Sequence, residues 1–386
     1  MKTITTTAAL AEFCDACADH PYVTVDTEFL RERTYYSKLC LVQMAYPGQG
    51  DENAVIIDPL AEGIDLGPMY DLFRNENVVK VFHAARQDLE IFAVEAGVIP
   101  TPFFDTQIAA MVCGFGEQVG YETLVRQIAR ESVDKSSRFT DWSRRPLSEK
   151  QKAYALADVT HLRVIYEYLA KELEKTGRTS WLQEELAVLT NPDTYRMEPE
   201  NAWKRLKTRS NSRKFLSVAK ELAHFREETA QSRNIPRNRV YKDDALMELA
   251  STRPHSLDDL NKSRLLLREA RKGAIAEGIL SAVKRGEGRD PEDMPKVPPA
   301  KQRKNGTESL SDLLRVLLKA KAAQYGVAQK LIASSADLDA FANGDDDQVK
   351  ALHGWRLEVF GNDALRLRNG EIALSATPQG VKIIEL

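Results

Sequence analysis

The chain has 386 residues, too many for one ordinary hydrophobic core, so two or three domains are expected. Its 43% apolar and 29% charged content is that of a folded, soluble protein, and no apolar run reaches the ~20 residues of a membrane helix. A net charge of −3 by itself gives no hint of a nucleic-acid partner, and the apolar stretch of "MKTITTTAALAEF" is too short for a signal peptide, which points to the cytoplasm.

The first pattern along the chain, "AALAEFCDACADH", reads as an amphipathic helix. It carries Cys14 and Cys17 as a C-x-x-C, but a closed zinc site needs four ligands and there is no second such pair, so both are expected to pack inside the fold. With Cys40 and Cys113 they complete the cysteines, all in the first third without framework spacing, as suits a reducing compartment. Strand patterns follow at Tyr22–Asp26, Leu39–Ala45, Ala54–Asp58 and Val78–His83, with a short one at Phe103–Asp105. Helical patterns lie at Gly67–Asn75, Gln87–Ala96, Thr106–Cys113, Tyr121–Ile128 and Ser148–Glu174. Short connections make the first three strands an antiparallel meander. The later strands alternate with helices, so the sheet is mixed and covered on both faces.

Beyond Trp181 the strand patterns fade. Segments 212–230, 243–250, 256–261 and 264–284 read as helices, and 286–309, rich in Pro, Gly and charge, reads as a linker. A last helical block follows, clearest in "SLSDLLRVLLKAKAAQYGV". Between Trp203 and Val240 stand eleven Lys and Arg residues against Glu221, Glu227 and Glu228. That local surplus, hidden by an acidic remainder, suits phosphate contacts better than a merely solvated helix face, with Arg237 and Arg239 in a surface loop "RNIPRNR" as candidates.

The acids carry the chemistry. In "YVTVDTEFL" Asp26 and Glu28 are two apart, so on a strand they share a face and can hold a hard divalent cation. One D-x-E alone is more simply a solvated strand end. Asp88, however, falls in the first turn of a helix after a strand in "VVKVFHAARQDLEIF", and Tyr154 and Asp158 are four apart on one face of a long helix. Leu156, Val159, Leu162 and Ile165 bury part of that helix, and an acid near a buried face needs a partner, for which a metal serves. His83 reads as a strand-end residue, His161 as an exposed helix position, Asp105 as the cap of the helix starting at Thr106, and Tyr35 and Tyr36 as sheet residues. Arg144 and Arg145 of "DWSRRPLS" stand either on a substrate phosphate or in a solvated loop. Phe29 and Leu30 either wedge against a terminal base or pack in the core.

Asp26, Glu28, Asp88, Tyr154 and Asp158, in that order, resemble the tyrosine-bearing branch of the DEDD exonucleases. The surrounding "TEFLRERTYYSKLCLVQMA", "FHAARQDLEIF", "FFDTQIAAMVCGFG" and "DWSRRPLSEKQKAYALADV" are similar to the bacterial ribonuclease D family, and 208–288 resembles an HRDC domain. The resemblance implies an α/β, ribonuclease H-like mixed sheet with flanking helices, followed by two small all-α HRDC-like domains. Its divisions are an exonuclease domain at 1–175, a connecting segment at 176–207, an HRDC domain at 208–288, a linker at 289–308 and a second, divergent HRDC-like domain at 309–386.

Carried over, Asp26 bridges two ions, Glu28 and Asp158 complete the site that activates water, Asp88 holds the second ion largely through waters, and Tyr154 positions the attacking water. Two metals about 3.5–4 Å apart stabilise the attacking and departing oxygens of a phosphodiester, and an all-oxygen ligand set favours Mg²⁺ or Mn²⁺ over Zn²⁺. The implied activity is 3′→5′ removal of nucleoside 5′-monophosphates from tRNA precursors and other small structured RNAs, by a monomer without membrane association. The rivals are a DNA 3′→5′ exonuclease, set apart by 2′-hydroxyl contacts that sequence does not reveal, and a non-catalytic RNA-binding protein on a nuclease fold, against which the intact acidic set argues.

Overall fold

Alternation of buried residues along Tyr22–Leu30 (β2) sets the centre of the sheet, with Val23 and Val25 on one face and Thr24 on the other. The computed structural model describes residues 2–134, 140–208, 210, 212–296, 304 and 306–386. Six strands form one mixed sheet, and in chain order they are Lys2–Ile4 (β1), β2, Lys38–Ala45 (β3), Ala54–Ile57 (β4), Val79–Phe82 (β5) and Phe103–Asp105 (β6). Their order across the sheet is β1-β4-β3-β2-β5-β6. The expected meander is β2-β3-β4, antiparallel throughout, while β5 joins β2 in parallel and β6 joins β5 in parallel. Strand β1 was not expected. Its "KTI" is too short to show a period, and it gains its place by parallel pairing with β4. Strand β2 also runs past Asp26 to Leu30 with a bulge at Glu28/Phe29, so both acids lie within the strand rather than at its end.

Helices cover both faces. Thr7–Ala18 (α1), Gly67–Arg74 (α2), Arg86–Ala96 (α3) and Thr106–Val112 (α4) bury Leu10, Phe73, Phe92 and Ala109 in one core with Val23, Val25 and Val81. Cys14 and Cys17 belong to that core, and burial pushes the Cys14 thiol up to about 12, so it stays a protonated apolar filler. Tyr121–Leu124 (α5) precedes the long helix Glu149–Thr176 (α6), whose Ala155, Leu156 and Val159 pack on Leu41, Ala45 and Ile56 from the other face. A capping box at Ser148 and Gln151 starts α6, an arrangement worth about 1 kcal/mol, and left-handed Gly177 ends it. Thr24 Oγ1 donates to the Val159 carbonyl (2.8 Å) and Tyr22 Oη to Glu167 (2.5 Å), pinning α6 to β2.

The expected connecting segment holds a helix of its own, Thr179–Thr190 (α7), and a 3₁₀ turn at Pro199–Arg205. A second core gathers Arg213–Ser232 (α8), Arg237–Val240 (α9), Asp243–Thr252 (α10), Leu257–Asn261 (α11) and Gly273–Glu287 (α12) around Leu222, Tyr241, Leu249 and Ile279. Helix α12 starts at Gly273, not at 264. The Glu248 carboxylate accepts from Ser263 Oγ (2.5 Å), Arg264 N (3.0 Å) and Leu265 N (3.1 Å), and this holds the chain out of helix there. Residues 297–303 and 305 of the expected linker lie outside the described residues. A third core lies under Thr307–Tyr325 (α13) and the helices that follow. The expectation of a purely helical last unit is corrected by a hairpin of Ile372–Thr377 (β7) and Gly380–Glu385 (β8). Most of its residues stay partly exposed, so no alternation marked it in the sequence. No helix among the described residues is long and apolar enough to cross a membrane.

Both later units touch the first. Tyr35 and Tyr36, expected in the sheet, lie in the 31–37 loop between β2 and β3, and their N–H groups donate to Asn234 Oδ1 at 3.0 Å each. Tyr35 Oη meets Glu227, Gln231 (3.2 Å) and Arg237 (2.9 Å). On the opposite side Ala328 N donates to the Met111 carbonyl (3.0 Å), Trp181 stacks on Trp355 with centroids 4.4 Å apart, and Arg356 pairs with Glu184 and Glu185.

Candidate active site

Side chains two apart on β2 project to one face, and α6 crosses that face. Asp26, Glu28 and Asp158 can therefore each bring a carboxylate oxygen to one point, with all three oxygens within 4.8 Å of one another. Asp88 stands beside this trio. It is 7% exposed in the first turn of α3, where it accepts a hydrogen bond from Thr27 Oγ1. No side chain of its own caps α3; the buried Asp105 does so from β6. Asp105 accepts from Ala84 N (3.1 Å), Ala85 N (2.9 Å), Gln107 N (2.8 Å) and Ile108 N (3.3 Å), holding the starts of α3 and α4 with one carboxylate. The expected cap is found, and it fixes the turn that carries Asp88 as well.

Crowding and burial act together on these acids. Desolvation first, then Asp26, Asp158 and Asp88, push the Glu28 carboxyl up to about 10. Desolvation lifts Asp26 to about 6 and raises Asp88 well above the usual carboxylate range. Acids crowded in this way are relieved by positive charge, and an all-oxygen set without His or Cys fits a hard divalent cation.

A cavity of about 260 Å³ opens beside the trio, walled by Asp26, His83, Tyr121, Tyr154, Asp158 and Leu162. Tyr154 thus faces the same space as two of the acids, its ring 6.1 Å from Trp142. Two wall or neighbouring residues, Tyr121 and Gln43, escaped the sequence reading in this role, and His83, read as a strand-end residue rather than a substrate contact, also faces the cavity. Tyr121 Oη lies 2.5 Å from the Asp158 carbonyl and 3.1 Å from that of Ala157, fixing the turn of α6 that presents Asp158. His83 Nδ1 lies 3.0 Å from Thr106 Oγ1, whose hydroxyl donates to the Phe82 carbonyl; the ring therefore donates from Nδ1. Burial pushes its pKa down, keeping it neutral. Gln43 is directly opposite Asp26 on β3, fully buried, and neither amide atom finds a partner among the described residues. A polar residue in "LCLVQMA" was the available signal for it.

The remaining candidates divide. Phe29 packs against the first core, and Leu30 packs with Tyr154 and Trp142. Arg145 is committed to the fold, its guanidinium gripping Asp58 at 2.6 and 2.7 Å and the carbonyls of Cys40 and Trp142 at 2.7 Å. Arg144 is exposed and pairs with Asp141 at 3.2 Å. Arg237 does not stand in a loose surface loop: it lies in α9, donates to Glu227 at 2.5 and 2.6 Å and stacks over Tyr35. Arg239 is exposed. His161 is half-buried rather than exposed.

The chain matches the 3′-5′ exonuclease family model over residues 1–174 and the HRDC domain model over 215–283. It is 67% identical to a Ribonuclease D of Jannaschia sp. (strain CCS1), covering 100% of this chain and 99% of that one. Identity to a Ribonuclease D of Nitrobacter hamburgensis is 50%, over 97% of each chain. The crystal structure of Escherichia coli RNase D, described as an exoribonuclease involved in structured RNA processing, superposes with a TM-score of 0.83 at 29% identity, covering 96% of this chain and 98% of that one.

Proposed function

The chain belongs to the ribonuclease D family, a 3′→5′ exoribonuclease by its relatives and its exonuclease fold, and on that premise we propose that Asp26, Glu28, Asp88 and Asp158 form its metal centre with Tyr154 as the catalytic tyrosine. The observation that carries this reading is the convergence of three carboxylates from β2 and α6 within 4.8 Å, with the fourth acid adjacent and its carboxyl pushed well above the usual range by burial and by Asp26.

Divalent ions, two of Mg²⁺ or Mn²⁺, would supply the stabilisation of charge on the attacking and departing oxygens. Asp26, Glu28 and Asp158 would hold these ions together with Asp88, which is fixed by Thr27 and by the Asp105-capped turn. Tyr154 orients the attacking water through its hydroxyl. Attack at phosphorus breaks the bond to the 3′ oxygen, releasing a nucleoside 5′-monophosphate and a new 3′ hydroxyl. Phe29 and Leu30 line the approach of the terminal nucleotide, and Arg144, exposed, reaches its phosphate. We assign 1–175 to the exonuclease domain, 208–288 and 309–386 to HRDC-like domains, and 176–207 and 289–308 to the connections; the second and third cores lie largely within the two later units, while α7 of the first connection buries Leu182, Leu186 and Leu189 in the first core.

The natural substrates we propose are tRNA precursors and other small structured RNAs, met in the cytoplasm by a monomer; the description of the Escherichia coli enzyme supports the substrate class. Matched RNA and DNA oligomers, labelled at the 5′ end and incubated with Mg²⁺ or with EDTA, test the reading. The expected result is a ladder shortening from the 3′ end of RNA only with metal. Cleavage that survives EDTA, or that prefers DNA, refutes it.

A further inference from the structure

Arg226 on α8 is 5% exposed, and its Nη1 serves the Tyr241 carbonyl (3.2 Å) and Asp243 (2.7 Å). Its Nε is buried and has no hydrogen-bond partner among the described residues, and the same is true of Thr34 Oγ1 in the 31–37 loop. Both residues wall one cavity of about 430 Å³ between that loop and the second core, with Arg31, Arg237, Lys242 and Asp243 also in its lining. Both donors lie within the cavity wall with almost no surface of their own open to it, so an acceptor brought by a ligand meets them only as the wall side chains shift, while the other groups of Arg226 and of its neighbours line the space.

Charge says what the acceptor is. Four cations line the space and three carboxylates touch them: Asp243 on Arg226, Glu227 on Arg237 and Glu90 on Arg31. Lys242 is exposed, and no carboxylate pairs with it among the described residues. A guanidinium with donors to spare, a hydroxyl and an ammonium around one cavity suit a phosphate. Thr34 is six residues beyond Glu28 along the chain, so the cavity lies within about 20 Å of the acidic cluster. A polymer whose 3′ end occupies that cluster is long enough to reach it within a few nucleotides.

We propose that this cavity is a phosphate site for an RNA phosphodiester several nucleotides upstream of the cleaved end, an assignment that rests on the ribonuclease reading above. The test uses the full chain, wild type and with Thr34→Val and Lys242→Gln, separately and together; Arg226 is left alone because its pair with Asp243 ties α8 to α10. Substrates are an RNA dinucleotide, too short to reach the cavity, and a single strand of about 12 nucleotides. For the longer RNA the double variant should bind about tenfold more weakly, with a log–log salt slope shallower by about 0.7 and kcat unchanged. Dinucleotide turnover and melting temperature should match wild type. Equal affinity and slope in all four proteins overturn the proposal. Should inorganic phosphate bind wild type but not the variants while RNA affinity is equal across them, the cavity takes free phosphate and the RNA assignment is wrong. A wild type that leaves the single strand of about 12 nucleotides intact with Mg²⁺ refutes the ribonuclease reading instead.

Discussion

Asp26 shows how much one carboxylate decides. Asp26→Asn should lower turnover by at least about 10³-fold, since a two-metal site contributes several kcal/mol to the transition state, while RNA binding persists. In EDTA the same variant should melt higher than wild type, because it removes one of the charges crowding Glu28; calorimetry in EDTA and in Mg²⁺ checks both halves. The pH dependence has a fixed sign. Glu28's folded pKa is raised from 4.5 to about 10, so its carboxyl is at home only when neutral. The metal-free fold is then most stable below the unfolded pKa and loses stability as pH rises toward 10. Melting temperatures in EDTA should fall from pH 5 to pH 9, and saturating Mg²⁺ should flatten the fall. For Tyr154→Phe, kcat should drop roughly 10²–10⁴-fold with little change in KM, because packing on Trp142 is kept and only the hydroxyl is lost. At this scale the sequence was most readable where spacing alone sets direction: two apart on a strand, four apart on a helix. Gln43 and Tyr121 were not legible, because their roles arise from cross-strand register and from a contact 37 residues away in the chain.

Among the elements, the junction of β6, α3 and α4 bears the most on the site. Asp105 accepts from four N–H groups there, and Asp105→Ala leaves them without it. The expected cost is about 3 kcal/mol or more, with weaker Mg²⁺ binding as the Asp88 turn loosens; thermal melts across a Mg²⁺ titration would reveal both. Local composition made this cap legible but gave only half its role, since Ala84 and Ala85 precede it by about twenty residues. The long apolar periods of β3 and α6 came through clearly, whereas β1 and the β7–β8 hairpin did not. The first is three residues long and the second is largely exposed, so neither leaves a burial pattern to read.

For the whole molecule, the basic surplus at 203–240 divides into cations already paired with carboxylates and cations open to solvent. Arg226 and Arg237 are bound to Asp243 and Glu227, while Lys204, Lys207, Lys214 and Arg239 stay exposed. Arg239→Glu is therefore the clean probe of phosphate contact. It should weaken binding of a tRNA precursor and make its salt slope shallower by about 0.7–0.9, whereas Arg237→Glu should also destabilise the Tyr35 contact. A chain ending near Arg178 should still trim short single strands, but at a lowered melting temperature. It loses the partners of the 31–37 loop at Glu227, Gln231, Asn234 and Arg237, and Arg178 loses the Tyr325 and Gly326 carbonyls. The approach of Gly114 to Gly326 adds a last consequence. At Gly114, with φ +82°, a methyl group would sit 2.5 Å from the Gly326 oxygen, so the two backbones meet with nothing between them. Together with the Trp181–Trp355 stack and the Arg356 ion pairs, this makes the last unit a docked partner whose hold does not depend on peptide continuity. Two fragments, 1–296 and 304–386, expressed together should co-purify and regain the intact protein's melting profile, and Gly114→Val should release the smaller one.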